Sequence, residues 1–532
     1  MSDLVSLTLD GKICQSLAVT SLSVSQQINE IPSARLTLST LNDTGSGIDS
    51  DTQLELTRCR PGHALAITVD EHLLFSGSVI RQKINLSGKN VFINLEARHV
   101  LQNLLSVSRS QVFQNIDDAA ILRRLCSEAG IELTLDGPET LHAQQDQLVQ
   151  FRSTSWHFLR CRMVANNCWL LPDAASGRAK ITTMGAAPPS ARVLTRRGPP
   201  LTWDINDISL EFDNRFSLDT LSVQGWDINE QQLSPEQRAS SSAWGGKDLK
   251  ADAVATPDKR QLKIAFSNGS EMSTSTLALA WFNQRQIASV RGTIEMSGNT
   301  DFQPGETLTL SDFNAGLDGT ATITGIRHAH DIEQGWRTWL IVGMPVDSHT
   351  TVPPVQELHI GIVADFQQDP ASLERIPLNV PALSLTGGVL FARLGKPYAS
   401  RQSGFCFYPE AGDEVIVGFF ESDPRYPVIL GAMHNPKNHS PFPPDDQNQR
   451  KALVVNVDGK VEQLVIDSAE NTVALSAGEN SFMLQNEKDI TLSGQHNLTI
   501  KAVNITQQAS SALSASGASS VEIKGASINL TK

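Results

Sequence analysis

The sequence predicts a mainly β protein of several domains that ends in a narrow β-prism built by more than one chain. Three observations predict it. Apolar and polar residues alternate with a period of two through residues 1–105 and again through residues 179–345, which is the pattern of half-buried strands. A compact stretch at residues 358–436 sets two apolar runs around a turn rich in proline and acid. Residues 453–532 lose most large apolar side chains, yet those that remain keep an eight-residue step. The 532-residue chain also exceeds the roughly 250–300 residues at which a single core stops growing, so three or more domains are expected.

Composition narrows the classes of function. Hydrophobic residues make up 40% of the chain and charged residues 19%, and no apolar run approaches the ~18 residues of a membrane-spanning helix. The start, Met1-Ser2-Asp3-Leu4, has neither a basic stretch nor an apolar one, so no secretory signal is expected and any exit is as cargo or by lysis. Six cysteines, Cys14, Cys59, Cys126, Cys161, Cys168 and Cys406, show none of the paired spacing of zinc sites and read as buried thiols of a reducing compartment. A net charge of −14 disfavours wrapping nucleic-acid phosphate.

In the first strand region, Val5-Ser6-Leu7-Thr8-Leu9 and Ala34-Arg35-Leu36-Thr37-Leu38 alternate cleanly, and Gly45-Ser46-Gly47 and Pro61-Gly62 mark turns. The period then changes. Ile121, Leu122, Leu125 and Ala129 recur at helical spacing with Gly130 at the C-cap, so Asp117 and Asp118 read as first-turn acids favoured by the helix dipole rather than a catalytic pair. A second helix follows Ser153-Thr154-Ser155, carries Trp156, Phe158, Leu159, Met163 and Val164, and ends at Asn166-Asn167. Residues 106–178 therefore form an α/β segment. Strands return over 179–345 around a helix at 276–288, and His328 and His330 share one strand face; without a third ligand nearby they read as ordinary histidines rather than a metal pair.

Residues 345–354 read as a linker stiffened by Pro353-Pro354. The next segment holds a hairpin in which Gly412-Asp413 leads into Glu414–Phe420 and Asp423-Pro424-Arg425-Tyr426-Pro427 leads into Val428–Gly431. Pro436, Pro441, Pro443 and Pro444 then mark a second linker at 436–451.

In the tail, Phe482, Ile490 and Leu498 form one eight-residue column and Leu484, Leu492 and Ile500 a second, offset by two as one strand face requires. Gly478, Asn486 and Gly494 fall on the same step and tolerate positive φ at a corner. These six apolar residues are the expected needle core. About 80 residues with so few apolar side chains cannot bury a core alone, whereas three chains about one axis pool their columns and leave no lateral strand edge.

The run Gly404-Phe405-Cys406-Phe407-Tyr408-Pro409, Gly412-Asp413-Glu414-Val415-Ile416-Val417-Gly418-Phe419, Asp423-Pro424, Pro427-Val428, Gly431 and Asn435-Pro436 resembles the OB-fold segment of the valine-glycine repeat spike proteins (VgrG) of type VI secretion and of contractile-phage spikes. Phe151–Leu159, Gly305 and Gly319–His330 resemble the hub of the same family. The resemblance implies a hub of two β-barrel-like domains (1–105 and 179–345) with inserted helices, an OB-fold neck (358–436) and an intertwined trimeric β-helix needle (453–532). It implies a homotrimer that assembles in the bacterial cytoplasm, joins the inner tube and baseplate at its hub, and carries a small PAAR-type tip protein. Ile528, Asn529, Leu530, Thr531 and Lys532 are the expected tip-docking residues. The absence of a toxin domain after the needle looks most like the spikes of extracellular phage-tail-like particles of the antifeeding prophage and Photorhabdus virulence cassette type.

No cofactor, catalytic residue or metal site is expected, and contact with the target membrane is transient and mechanical. A cell-wall hydrolase is disfavoured because residues 436–451 cannot hold a cleft and no G-x-S-x-G or H-E-x-x-H motif occurs. Single-strand nucleic-acid binding by the OB segment is disfavoured by four basic residues against five acidic ones over 388–436. A trimeric adhesin or tail fibre would share the needle but should end in a receptor-binding head.

Overall fold

The computed structural model describes residues 5–40, 48–87, 90–185, 192–196, 205–240, 244–254, 260–268, 271–384, 387–486 and 489–531. Met1–Leu4, the Gly45–Gly47 turn and the docking residue Lys532 lie outside them. The fold is mostly β, and the chain divides into two compact units, residues 1–433 and 434–532.

In the first unit the two alternating regions of the sequence share one sheet. Strand Leu17–Gln27 pairs antiparallel with Ser33–Thr40 on one side and with Gly319–Asp331 on the other, joining the strands of 1–105 to those of 179–345 in a 13-stranded array. The alternation turns Leu22, Val24, Ala34, Leu36 and Leu38 into one core and Ile294, Leu308, Ile323 and Leu340 into another. Glycine is required at the seam: a Cβ on Gly325 would stand 2.6 Å from Gln27 Cγ, closer than side-chain atoms approach.

Helix Asp118–Glu128 begins where the sequence predicts, with the Asp117 carboxylate accepting from the Ala120 N–H at 2.6 Å. Helix Ser155–Ala165 is capped likewise by Thr154 and stops at Asn166. Their shared core includes Phe113 and Phe158, stacked at 5.7 Å. Asp118, unlike Asp117, is buried: it accepts from Arg162 Nε at 2.6 Å, from Arg162 Nη2 at 2.7 Å and from Asn166 Nδ2 at 2.8 Å. The third helix, expected at 276–288, runs over Glu271–Ile287.

Residues 345–354, expected as a linker, are packed against the second helix. Asp347 pairs with Arg160, Thr351 O accepts from Arg162 Nη1 at 2.7 Å, and Val352 is buried in the helical core. Prolines and polar residues resemble a linker until the charged partners that hold them are known, and those partners lie some 190 positions away in the chain. The charge of Arg160 and the hydrogen bond from His349 outweigh burial and hold the Asp347 carboxyl below the usual carboxylate range.

The OB segment closes into a five-stranded barrel of His359–Val363, Ile376–Asn379, Val389–Leu394, Pro427–Met433 and Glu414–Phe419. Val149 and Phe151, from strand Gln144–Thr154, complete its core. Buried Gln147 clamps the barrel, donating to Arg425 O at 2.6 Å and accepting from the Phe391 N–H at 2.9 Å. Beside the barrel, buried Asp369 collects the N–H groups of Ala371 and Leu373 and the guanidinium of Arg375 at 2.7 Å. Burial opposes the charge, but these donors prevail and hold the carboxyl down to about 2. A depressed pKa contributes stability above the unfolded value near 4 and loses it as pH falls towards 2, about 2 kcal/mol in all. Asp369→Asn should therefore lower stability at pH 7 and flatten its fall between pH 4 and 2, as read by urea unfolding at each pH.

The second unit holds a five-stranded antiparallel meander, Arg450–Val457, Lys460–Asp467, Thr472–Ala477, Asn480–Gln485 and Asp489–Ser493, paired in chain order. Its corners fall on left-handed residues: Asp458 and Gly459, Asn471, Gly478 and Asn486 all have positive φ. No helix or strand is assigned to residues 494–531.

Candidate functional site

The meander is strongly two-faced. Cross-strand partners share a face, so the register links Leu453, Leu464, Leu475, Phe482 and Leu492 in one row across all five strands. A second row on the same face runs Ile466, Val473, Leu484 and Ile490. The opposite face carries rows that mix small and polar residues with three apolar ones, Val454–Gln463–Ser476–Ser481–Ser493 and Ala452–Val465–Ala474–Met483–Thr491. All nine side chains of the two apolar rows are exposed in the single chain, Leu475 by 57%, Leu492 by 52% and Ile490 by 73%.

Of the six residues read as needle core, Phe482, Leu484, Ile490 and Leu492 stand on this face. The structure pairs Phe482 with Leu492 and Leu484 with Ile490, because the corner at Asn486 reverses the strand; the eight-residue step had set Leu484 in line with Leu492. Leu498 and Ile500 lie in the stretch without assigned strands and are exposed, as are the docking residues Ile528, Asn529, Leu530 and Thr531. Sequence reasoning missed the first half of the face, Leu453, Leu464, Ile466, Val473 and Leu475, although alternation in Lys460–Asp467 and Thr472–Ala477 carried the signal.

Such a face is an association surface in chemical terms. Covering nine half-exposed apolar side chains is worth roughly 1 kcal/mol each, and a contiguous patch of this kind marks an interaction site rather than ordinary surface. Residues 494–531 are exposed throughout, and backbone without strand partners gains hydrogen bonds only from another segment or from water.

The two histidines of strand Gly319–Asp331 differ in their surroundings, His330 Nδ1 being buried without a hydrogen-bond partner, and among the six thiols Cys406 is exposed rather than buried. His328 Nδ1 sits 3.0 Å from Thr338 Oγ1, and burial pulls its pKa down to about 4. Among the described residues no group of three or more His, Cys, Asp and Glu is placed to hold a metal ion. Burial pushes the Cys59, Cys126 and Cys168 thiols up to about 12, far from the thiolate form.

Residues 3–332 match the family model of the Alg8 N-terminal domain, and residues 359–434 match that of the type VI secretion system/phage-baseplate injector OB domain. Among solved structures, the chain is similar to a lidded PdpA–VgrG complex of Francisella, with a TM-score of 0.59, 11% identity, and coverage of 92% of this chain and 79% of that one. It is also similar to the E. coli c3393 protein, a type VI secretion component described as resembling the T4 tail proteins gp27 and gp5, with a TM-score of 0.50, 12% identity, and coverage of 80% and 99%. At such identities the likeness speaks for the fold. The chain thus belongs to the Alg8 N-terminal domain family, carries a segment that matches the type VI secretion system/phage-baseplate injector OB domain, and has a fold similar to that of VgrG.

Proposed function

We propose that this protein is the central spike and hub of a contractile injection particle, a homotrimer whose C-terminal unit forms an intertwined β-helix needle that pierces the target envelope mechanically. The observation that carries the reading is the uncovered apolar face of residues 450–493, continued by exposed residues 494–531 with apolar side chains such as Ile505, Leu513 and Val521 eight apart. Three copies about one axis turn these faces inward and supply each backbone with a neighbour. The test is light scattering of the purified chain, which should give about three times 57.7 kDa; a monomer at micromolar concentration defeats the reading.

In this reading the hub joins the inner tube and baseplate, nucleic acid is no partner, and the particle assembles in the bacterial cytoplasm before release without a signal peptide. The Francisella relative was solved as a complex with PdpA, which supports a bound protein partner here. The end segment Ile528–Thr531, with Leu530 exposed by 94%, offers apolar side chains and backbone groups to a PAAR-type tip, and Lys532 completes the docking set. The particle type is the extracellular one of the antifeeding prophage and Photorhabdus virulence cassettes. Particles recovered from culture medium should carry the spike with its tip, and deletion of residues 525–532 should remove the tip and leave the trimer. Retention of the tip after that deletion would place docking elsewhere, and particles confined to the cells would argue against the extracellular type.

A further inference from the structure

Two imidazoles face each other where the packed segment 345–354, a strap across the second helix, meets that helix. The rings of His157, in the first turn of the helix, and His349, in the strap, are 5.2 Å apart. His349 Nδ1 donates to Asp347 Oδ1 at 2.5 Å, and the other oxygen of the same carboxylate holds the buried guanidinium of Arg160. On the helix itself, His157 Nε2 lies 3.7 Å from the Cys161 thiol.

The setting is already cationic. Asp347 is shared between Arg160 and His349, and Arg162, two residues on, is spent on Asp118. Glu30, from the loop between strands Leu17–Gln27 and Ser33–Thr40, acts on Arg160. The Cys161 thiol supplies no negative charge, because burial pushes its pKa up to about 11. His157 also stands near the N-terminus of its helix, where the dipole disfavours a cation. Burial first, and then the facing His349, pull the His157 pKa below its usual value against the opposing pull of Asp347.

We propose that His157 and His349 form an acid-sensitive latch: below about pH 6 the first half of the strap, residues 345–349, lifts from the second helix while the second half stays docked. The proton that His157 takes up adds a cation beside Arg160 and against the His349 ring, and the carboxylate between them is already shared. A histidine with a depressed folded pKa binds its proton more readily when released. The stability it lends is therefore present above the free value of about 6.5 and is lost as pH falls through that value. Asp347 is not the trigger, because its carboxyl is held below the usual carboxylate range and stays charged. Residues 350–354 have anchors of their own, Arg162 donating to Thr351 O and Val352 buried in the helical core. The strap carries the chain from strand Gly335–Val342 to the barrel strand His359–Val363, so release of residues 345–349 gives that connection about 15 Å of extendable chain.

Hydrogen–deuterium exchange of the full-length protein, read by mass spectrometry and corrected for the intrinsic pH dependence of exchange, reports on the strap directly. From about pH 7.5 to about pH 5.5, protection of residues 345–350 should fall about five-fold, while residues 351–356 change less than about two-fold. His157→Gln, which keeps a polar side chain without the charge, should hold the strap at both pH values, and His157→Arg, which carries the charge permanently, should loosen it at both. Circular dichroism of the two variants confirms that they are folded. His99, His328 and His359, whose pKa values burial lowers, are common to all three proteins and cancel in the comparison. Unchanged protection in the parent, a fall that persists in His157→Gln, a His157→Arg strap as protected as the parent's at the higher pH, or a loss spread evenly over residues 345–356 would overturn the latch. The readout concerns one strap within one chain, so a failure of the trimer reading leaves it standing.

Discussion

Leu492→Asp is expected to open the C-terminal unit, leaving residues 453–531 degraded by protease under conditions in which the parent survives. Leu492 ends the apolar row that begins at Leu453 and crosses all five strands through Leu464, Leu475 and Phe482. In the proposed trimer one substitution enters the axis three times. Each carboxylate loses its hydration for an apolar neighbourhood, at about 3 kcal/mol or more per copy, and the three repel one another. Thr491→Asp, one residue away, falls on the opposite face beside Met483 and should change protease resistance little. Limited proteolysis of the full chain, with both variants beside the parent, distinguishes the outcomes. Equal sensitivity of the two variants would mean that the apolar face is not the one that chain association covers.

Arg162→Met is expected to cost the first unit about 3–5 kcal/mol, the usual penalty for leaving a buried carboxylate without its partner. Asp118 is 1% exposed and would keep, of its three side-chain donors, only Asn166 Nδ2. The same substitution frees Thr351 O, which anchors residues 345–354 to the second helix. The double variant Asp118→Asn with Arg162→Met should recover a large share of the loss, because an amide costs far less to bury than a lone charge. Urea unfolding followed by tryptophan fluorescence reads both. A single-variant loss under 1 kcal/mol would show that the pair is solvated and contributes no more than a surface ion pair.

Which parts were legible follows from the range of the forces. Helix starts at Asp117 and Thr154 were readable because a cap is a contact between residues three apart. The barrel hairpin was readable because Glu414–Phe419 and Pro427–Met433 pair across a short loop whose residues declare the turn. Asp118 was not. It looks like a first-turn acid from its position, and only the approach of Arg162, 44 positions later, makes it the centre of a buried network.

By itself the sequence determined the periods, and with them the elements and faces: alternation in the β regions, 3.6-residue spacing in the helices, left-handed corner residues in the tail, and one apolar side for Phe482, Leu484, Ile490 and Leu492. A period depends only on each residue's neighbours along the chain, so it can be read without a fold. Tertiary structure alone decided who meets whom. It joined Leu17–Gln27 to Gly319–Asp331 across some 300 residues, turned the supposed linker at 345–354 into a packed strap, and set Leu484 opposite Ile490 where the eight-residue step had aligned it with Leu492. Strand pairing depends on direction as well as spacing, and a corner such as Asn486 reverses direction without altering the alternation that the sequence displays.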